Sequence, residues 1–152
     1  MNARHALIAG GVALLTACGS ATDAITFSAP AAFHAKASIG PFMQLWESAP
    51  HNVIILMSLP TQLDLKRAME QADLKGARVE KNERIKICGS QPAVFAQVQG
   101  ETNTGSENSQ PSEVEFLATN VKGKTYMAMY ARPLHSAADP AAEAAIRNLC
   151  PK

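Results

Sequence analysis

Asn52 to Leu59 reads NVIILMSL, and the next residue is Pro60. An unbroken apolar run of this length, stopped by a residue that cannot donate to a ladder, predicts a central strand buried on both faces. The period changes directly afterwards. Thr61 can cap a helix, and Asp64, three residues on, suits the positive helix end. Leu65, Ala68, Met69 and Ala72 then fall at i, i+3, i+4 and i+7, one apolar stripe, while Lys66, Arg67, Glu70 and Gln71 face water. Gly76 is the expected stop.

Upstream of the run, Ala49-Pro50-His51-Asn52 reads as a turn and Phe42 to Glu47 as a second strand. Residues 31–41 read as loop, and Ile25-Thr26-Phe27-Ser28 alternates as a half-buried strand ended by Pro30. Downstream, Arg78 to Cys88 is a charged strand with Val79, Ile85 and Ile87 on one parity, and Lys81-Asn82-Glu83 admits a bulge or turn. Gly89-Ser90-Gln91-Pro92 connects tightly to a strand over Ala93 to Gln99. Glu101 to Ser112 (ETNTGSENSQPS) has no apolar residue and is expected to be a mobile polar loop. Glu113 to Val121, a Lys122-Gly123-Lys124 turn and Thr125 to Arg132 make a hairpin. Asp139 caps a last helix with Pro140 in its first turn and a stripe of Ala142, Ala145, Ile146 and Leu149; Cys150-Pro151 ends it.

Strands, a helix, four antiparallel strands and a helix predict an α+β fold, a largely antiparallel twisted sheet with helices packed on it. The helix after the apolar strand, and the turn Ile87-Cys88-Gly89-Ser90-Gln91-Pro92-Ala93 into the next strand, give a layout that resembles the Mog1/PsbP-like fold over roughly residues 24–150. That resemblance implies a non-enzymatic, partner-binding module attached to a larger complex. A cystatin-like or nuclear-transport-factor-like roll is the alternative layout.

The start of the chain reads as an address. Arg4 precedes Ala6 to Ala17, an apolar run of twelve residues that as a helix spans roughly 18 Å, short of a bilayer core of about 30 Å. Leu15-Thr16-Ala17-Cys18 resembles the bacterial lipoprotein box. This implies cleavage before Cys18, diacylglycerol on its sulfur and acylation of its amine, enough to anchor stably to membrane lipid. The expected organisation is a signal peptide over 1–17, a short lipidated tether over 18–24 and one α+β domain over 25–152. Gly19-Ser20, with no Asp after Cys18, resembles the pattern sorted onward to the outer membrane in diderm bacteria. The alternative is a soluble secreted protein with Cys18 incidental.

The 152 residues carry 14 bases and 13 acids, a formal charge of +1. Losing Arg4 with the leader leaves a charge of zero, which supplies neither the basic excess of a nucleic-acid binder nor steering toward anionic surfaces. Export places Cys88 and Cys150 in an oxidising compartment, where an even pair reads as a disulfide. Free buried thiols or thiol chemistry are the other readings.

Nothing in the sequence reads as catalytic, and no cofactor or metal is implied. His34, His51 and His135 lie in expected loops without metal-binding spacing. Ser90 lacks the second glycine of a nucleophile elbow. The carboxylate pairs Glu80/Glu83 and Glu113/Glu115 read as solvated. Tyr126 and Tyr130 share one strand face, with Trp46 possible nearby, and could form a binding patch or a second core layer; Met127 and Met129, on the other face, read as core filling. The sequence therefore predicts a lipid-anchored, non-catalytic interaction or accessory module of the cell envelope with a protein partner. The alternative is a carrier or sensor for a small apolar ligand.

Overall fold

The computed structural model describes residues 20–36, 40–67, 77–102 and 110–152. The chain forms β1 (Ile25–Thr26), β2 (His34–Ala35), β3 (Met43–Ala49) and β4 (Asn52–Leu59). A helix α1 follows, of which residues 65–67 are described. Then come β5 (Arg78–Ile87), β6 (Gln91–Thr102), β7 (Gln110–Val121), β8 (Lys124–Pro133), α2 (Pro140–Arg147) and β9 (Cys150–Pro151). Seven strands make one sheet in the order β2-β3-β4-β8-β7-β6-β5, and β1 pairs with β9 apart from it. Every pairing is antiparallel. The expectation of a largely antiparallel sheet with helices is met.

β4 occupies the inner position its composition demands, between β3 and β8. Ile54 and Leu56 point into one core and Val53 into the other, so alternate residues of the run serve opposite faces. Extending this parity across the sheet defines both faces. The first carries Ile54, Leu56, Tyr126, Ala128, Tyr130, Leu117 and Phe95, covered by Ala142 and Ile146 of α2, by Leu149 and by the segment from Ala21 to Phe33. The second carries Val53, Val94, Ala96, Val98, Val114, Phe116 and Ala118, against which Leu63 and Leu65 pack. Met127 and Met129 are half-buried there and fill space, as expected.

The turns follow from local chemistry. Lys122 and Gly123 are both at positive φ (50° and 77°), the conformation a two-residue hairpin connection needs. Cys88 and Gly89 are likewise left-handed (51° and 88°) between β5 and β6. Asp139 caps α2 through a bond from the Ala141 N–H to its Oδ1 (2.9 Å), with Pro140 in the first turn. The exposed edge strand β5 bulges between Val79 and Lys81 and is dense in charge, which blunts an open edge against further pairing.

Several expected boundaries move. Residues 20–24 are part of the fold, not a tether: Ala21 is fully buried, and its N–H donates to the Pro41 carbonyl (2.8 Å). The stretch read as loop over 31–41 holds β2, whose two residues pair with Glu47 and Trp46. The ladder of β6 and β7 runs out to Thr102 opposite Gln110, so the polar connection is shorter than Glu101–Ser112. Arg67 N–H bonds to Asp64 Oδ1 (3.2 Å), making Asp64 and not Thr61 the cap of α1. Of the apolar stripe expected there, Ala68, Met69 and Ala72 lie outside the described residues. α2 ends at Arg147 and Cys150-Pro151 continues as β9, so Leu149 is buried beyond the helix, not in it.

Cys88 and Cys150 form a disulfide, with Cα atoms 5.7 Å apart. It joins the β5–β6 turn to β9, and β9 in turn holds β1. The crosslink spans 62 positions, and closing a loop of that size restricts the unfolded chain by about 4 kcal/mol. Replacing both cysteines by serine should therefore lower unfolding free energy by up to about 4 kcal/mol in denaturant titration. The Lys152 amide, which donates to the Ala24 carbonyl, should exchange faster with solvent in that variant.

Candidate functional site

A cleft of about 400 Å³ opens beside the second face, between the start of α1 and the ends of β5, β6 and β7. Its outer wall is the Gln62–Lys66 segment, held to the sheet by a small polar network. Antiparallel pairing sets Asn120 opposite Thr125 at the hairpin base. Thr125 is fully buried, and its Oγ1 accepts from the Leu63 N–H (3.1 Å). The same oxygen lies within donating distance of Asn120 Oδ1 (2.7 Å) and of the Thr61 carbonyl (2.9 Å). Asn120 Nδ2 donates to the Leu63 carbonyl (2.8 Å), and Asn82 Nδ2 to that of Lys66 (3.4 Å). Three side chains, Thr125, Asn120 and Asn82, are thus spent on holding one strip of chain against the strand ends.

The lining is mixed. Leu65, Ala93 and Val94 are buried and make the inner surface, while Lys66 is half-exposed and Arg84 exposed at the rim. Gln91 Nε2 donates to Thr119 Oγ1 (2.7 Å) and to the Asn120 carbonyl (3.0 Å), which fixes the amide at the base. Sequence reasoning missed this cleft because its parts come from four separate elements. The one readable signal was the polar Asn120 and Thr125 flanking a turn between apolar strands.

The expected patch of Tyr126, Tyr130 and Trp46 is not a surface. Both tyrosines are fully buried on the first face, the core-layer alternative. The Tyr126 hydroxyl donates to Asp23 Oδ1, and Lys124 Nζ pairs with Asp23 Oδ2 (2.7 Å). The Tyr130 hydroxyl accepts from the Asp139 N–H (3.0 Å), and its ring meets Phe33 edge-on at 6.2 Å. Trp46 is half-buried and packs on Phe27 at 5.2 Å. The bond to Lys124, then that to Tyr126, lower the pKa of Asp23, whereas burial and Asp23 push the Tyr126 phenol up to about 12.

Glu113 and Glu115, expected to be solvated, also lie on the first face. Arg132 Nη2 pairs with Glu113 Oε1 at 3.0 Å and Nη1 with Glu115 Oε2 at 3.6 Å, all three side chains being largely buried. Gln97 Nε2 donates to Glu113 as well, and the Arg132 guanidinium lies 5.6 Å from the Tyr130 ring centre. Burial, with Glu143 of α2 adding repulsion, raises the Glu115 carboxyl above its usual range despite Arg132. Cys18 lies outside the described residues. His34 is on β2, His51 in the β3–β4 turn and His135 beyond β8. Among the described residues no three His, Cys, Asp or Glu side chains gather as metal ligands.

Two tests follow from these contacts. Thr125→Val keeps the shape but strips partners from the Leu63 N–H and from Asn120 Oδ1. It should cost about 1–3 kcal/mol in denaturant titration and quicken exchange of the Leu63 amide. For Glu115 the raised folded pKa means a contribution present below its unfolded value and lost as pH rises through the folded one. The stability of the unaltered chain relative to Glu115→Gln should therefore fall as pH rises above the ordinary glutamate value of about 4 in paired urea titrations.

No known protein family matches the chain, and no curated protein matches it in sequence, so the role of the cleft is read from its own residues.

Proposed function

We propose that the chain is a lipid-tethered module of the bacterial cell envelope that binds a partner and performs no reaction of its own. The observation that carries this reading is the Cys88–Cys150 bond in a chain whose leader ends Leu15-Thr16-Ala17-Cys18. An oxidised pair belongs to an exported protein, and the third cysteine stands where a lipid is attached. Ala21 is already buried in the fold, so at most about 10 Å of chain separates Cys18 from it. The domain would sit close against the membrane and meet partners there, with the outer membrane the expected site in a diderm host.

The binding character of the reading is supported by the use to which the shifted groups are put. Asp23 holds the N-terminal segment, Tyr130 the start of α2, and Glu115 shares Arg132 with Glu113. Each is engaged in packing, which leaves it poorly suited to proton transfer. The seven-stranded antiparallel sheet with α2 on one face agrees with the Mog1/PsbP-like layout, and a partner-binding role is what that resemblance implies. A second reading, a carrier or sensor for a small ligand, is favoured by the cleft, whose volume of about 400 Å³ falls within the range of small-molecule sites.

Cells expressing the chain and fed radiolabelled palmitate should incorporate label, and Cys18→Ala should abolish it and release the protein from the membrane fraction. Label retained in that variant would overturn the tether. Crosslinking in intact cells should recover a discrete envelope protein with the unaltered chain.

A further inference from the structure

The cleft is more selective than an apolar carrier site requires. Leu63, Leu65 and Val94 supply apolar contact area, while the inner amides of Asn120 and Gln91 are engaged within the fold. Asn120 is engaged at both its oxygen and its nitrogen, and Gln91 Nε2 has two acceptors. Two cations remain. Lys66 lies at the end of the Gln62–Lys66 strip, its carbonyl held by Asn82 of β5, and Arg84 lies two residues along that strand; both line the cleft. Among the described residues neither has a carboxylate within ion-pairing distance. The nearest acid in the lining, Asp64, is turned to the Arg67 N–H as the cap of α1. Lys86 shares the parity of Arg84 on β5 and adds to the positive side of the rim. Cationic groups flanking a low-dielectric, apolar depression concentrate field there and favour an anion whose body is apolar.

We propose that this cleft binds a small organic anion with an apolar body, an aromatic or short-chain carboxylate, the charged end between Lys66 and Arg84 and the apolar end against Leu63, Leu65 and Val94. The proposal deepens the carrier reading and rests on it; it does not depend on the lipid anchor. A guanidinium can grip a carboxylate with two parallel bonds, and the ammonium can add a third.

The test uses the full chain in dilute detergent, which keeps it in solution with or without a lipid, methyl-labelled at Ile, Leu and Val and titrated with 3-phenylpropionate and, separately, with its neutral twin 3-phenylpropanamide. Methyls of Leu63, Leu65 and Val94 report on the cleft; those of Ile54, Leu56 and Ile146 report on the opposite core and on folding. The acid should shift the cleft methyls saturably and leave the core methyls in place, with the amide at least tenfold weaker. The double variant Lys66→Glu/Arg84→Glu should bind the acid at least tenfold more weakly with an unchanged core spectrum. Equal affinity for acid and amide, or an unaffected double variant, overturns the anion and leaves a carrier of apolar ligands standing. Cleft methyls that respond to neither compound overturn both the proposal and the carrier reading.

Discussion

Two phenol hydroxyls under one sheet face decide how the rest of the chain docks. Tyr126 and Tyr130 lie four residues apart on β8, the middle strand of the seven, and both are fully buried. A buried hydroxyl without a partner costs about 1–3 kcal/mol, so whatever covers them must supply a polar atom at each site. Asp23 meets Tyr126, and the N–H of Asp139 meets Tyr130. The first contact brings the N-terminal segment onto the sheet; the second fixes the entry of α2, where Asp139 also caps the helix. An apolar cover of the same shape would bury equal area and leave both hydroxyls unpaired. Specificity of docking thus resides in two polar atoms within an otherwise apolar layer.

The disulfide acts on the same layer from its far end. β1 and β9 are two residues each, too short to persist on ladder bonds alone. Cys150 ties β9 to the β5–β6 turn, and the ladder, with the Lys152 N–H bonded to the Ala24 carbonyl, passes that restraint to the N-terminal segment. Both chain ends are therefore held on the first face, one by Tyr126 and Asp23, the other by a covalent bond. The buried Arg132 with Glu113 and Glu115 adds no comparable stabilisation, because desolvating three charges offsets much of their attraction.

What the sequence made legible were features with a local cause. The two-faced run of β4, the Lys122-Gly123 turn, the Asp139-Pro140 start of α2 and the alternation along β8 each depend on a few neighbouring residues. The two-residue strands β2 and β9 have no period to read and exist only through partners elsewhere in the chain. The cap at Asp64 was hidden because the Thr61 carbonyl is drawn to Thr125, a contact across 64 positions. Glu113 and Glu115 looked solvated by charge alone, yet they share the parity of Leu117 and Val121, which placed them on the core face. There chemistry was weighted above register, and register decided the outcome. The tyrosines were seen as a pair but not as a staple, since nothing local shows that Asp23 and Asp139 would come to them.

The two faces end with different roles for a physical reason. The first is closed by the segment from Ala21 to Phe33, by α2 and Leu149, by the tyrosine contacts and by the disulfide. The second is walled near the strand ends by a strip of backbone on the Thr125–Asn120 network, with a cleft beneath it. The segment leading back to Cys18 docks on the first face, through Ala21 and Asp23. A lipid at Cys18 would therefore pull from the closed side of the sheet while the cleft stays across the sheet from the anchor. The contacts that dock Ala21 and Asp23 and the residues that line the cleft share no side chain, so the two proposed roles, tethering and ligand capture, make no competing demand on the same residues.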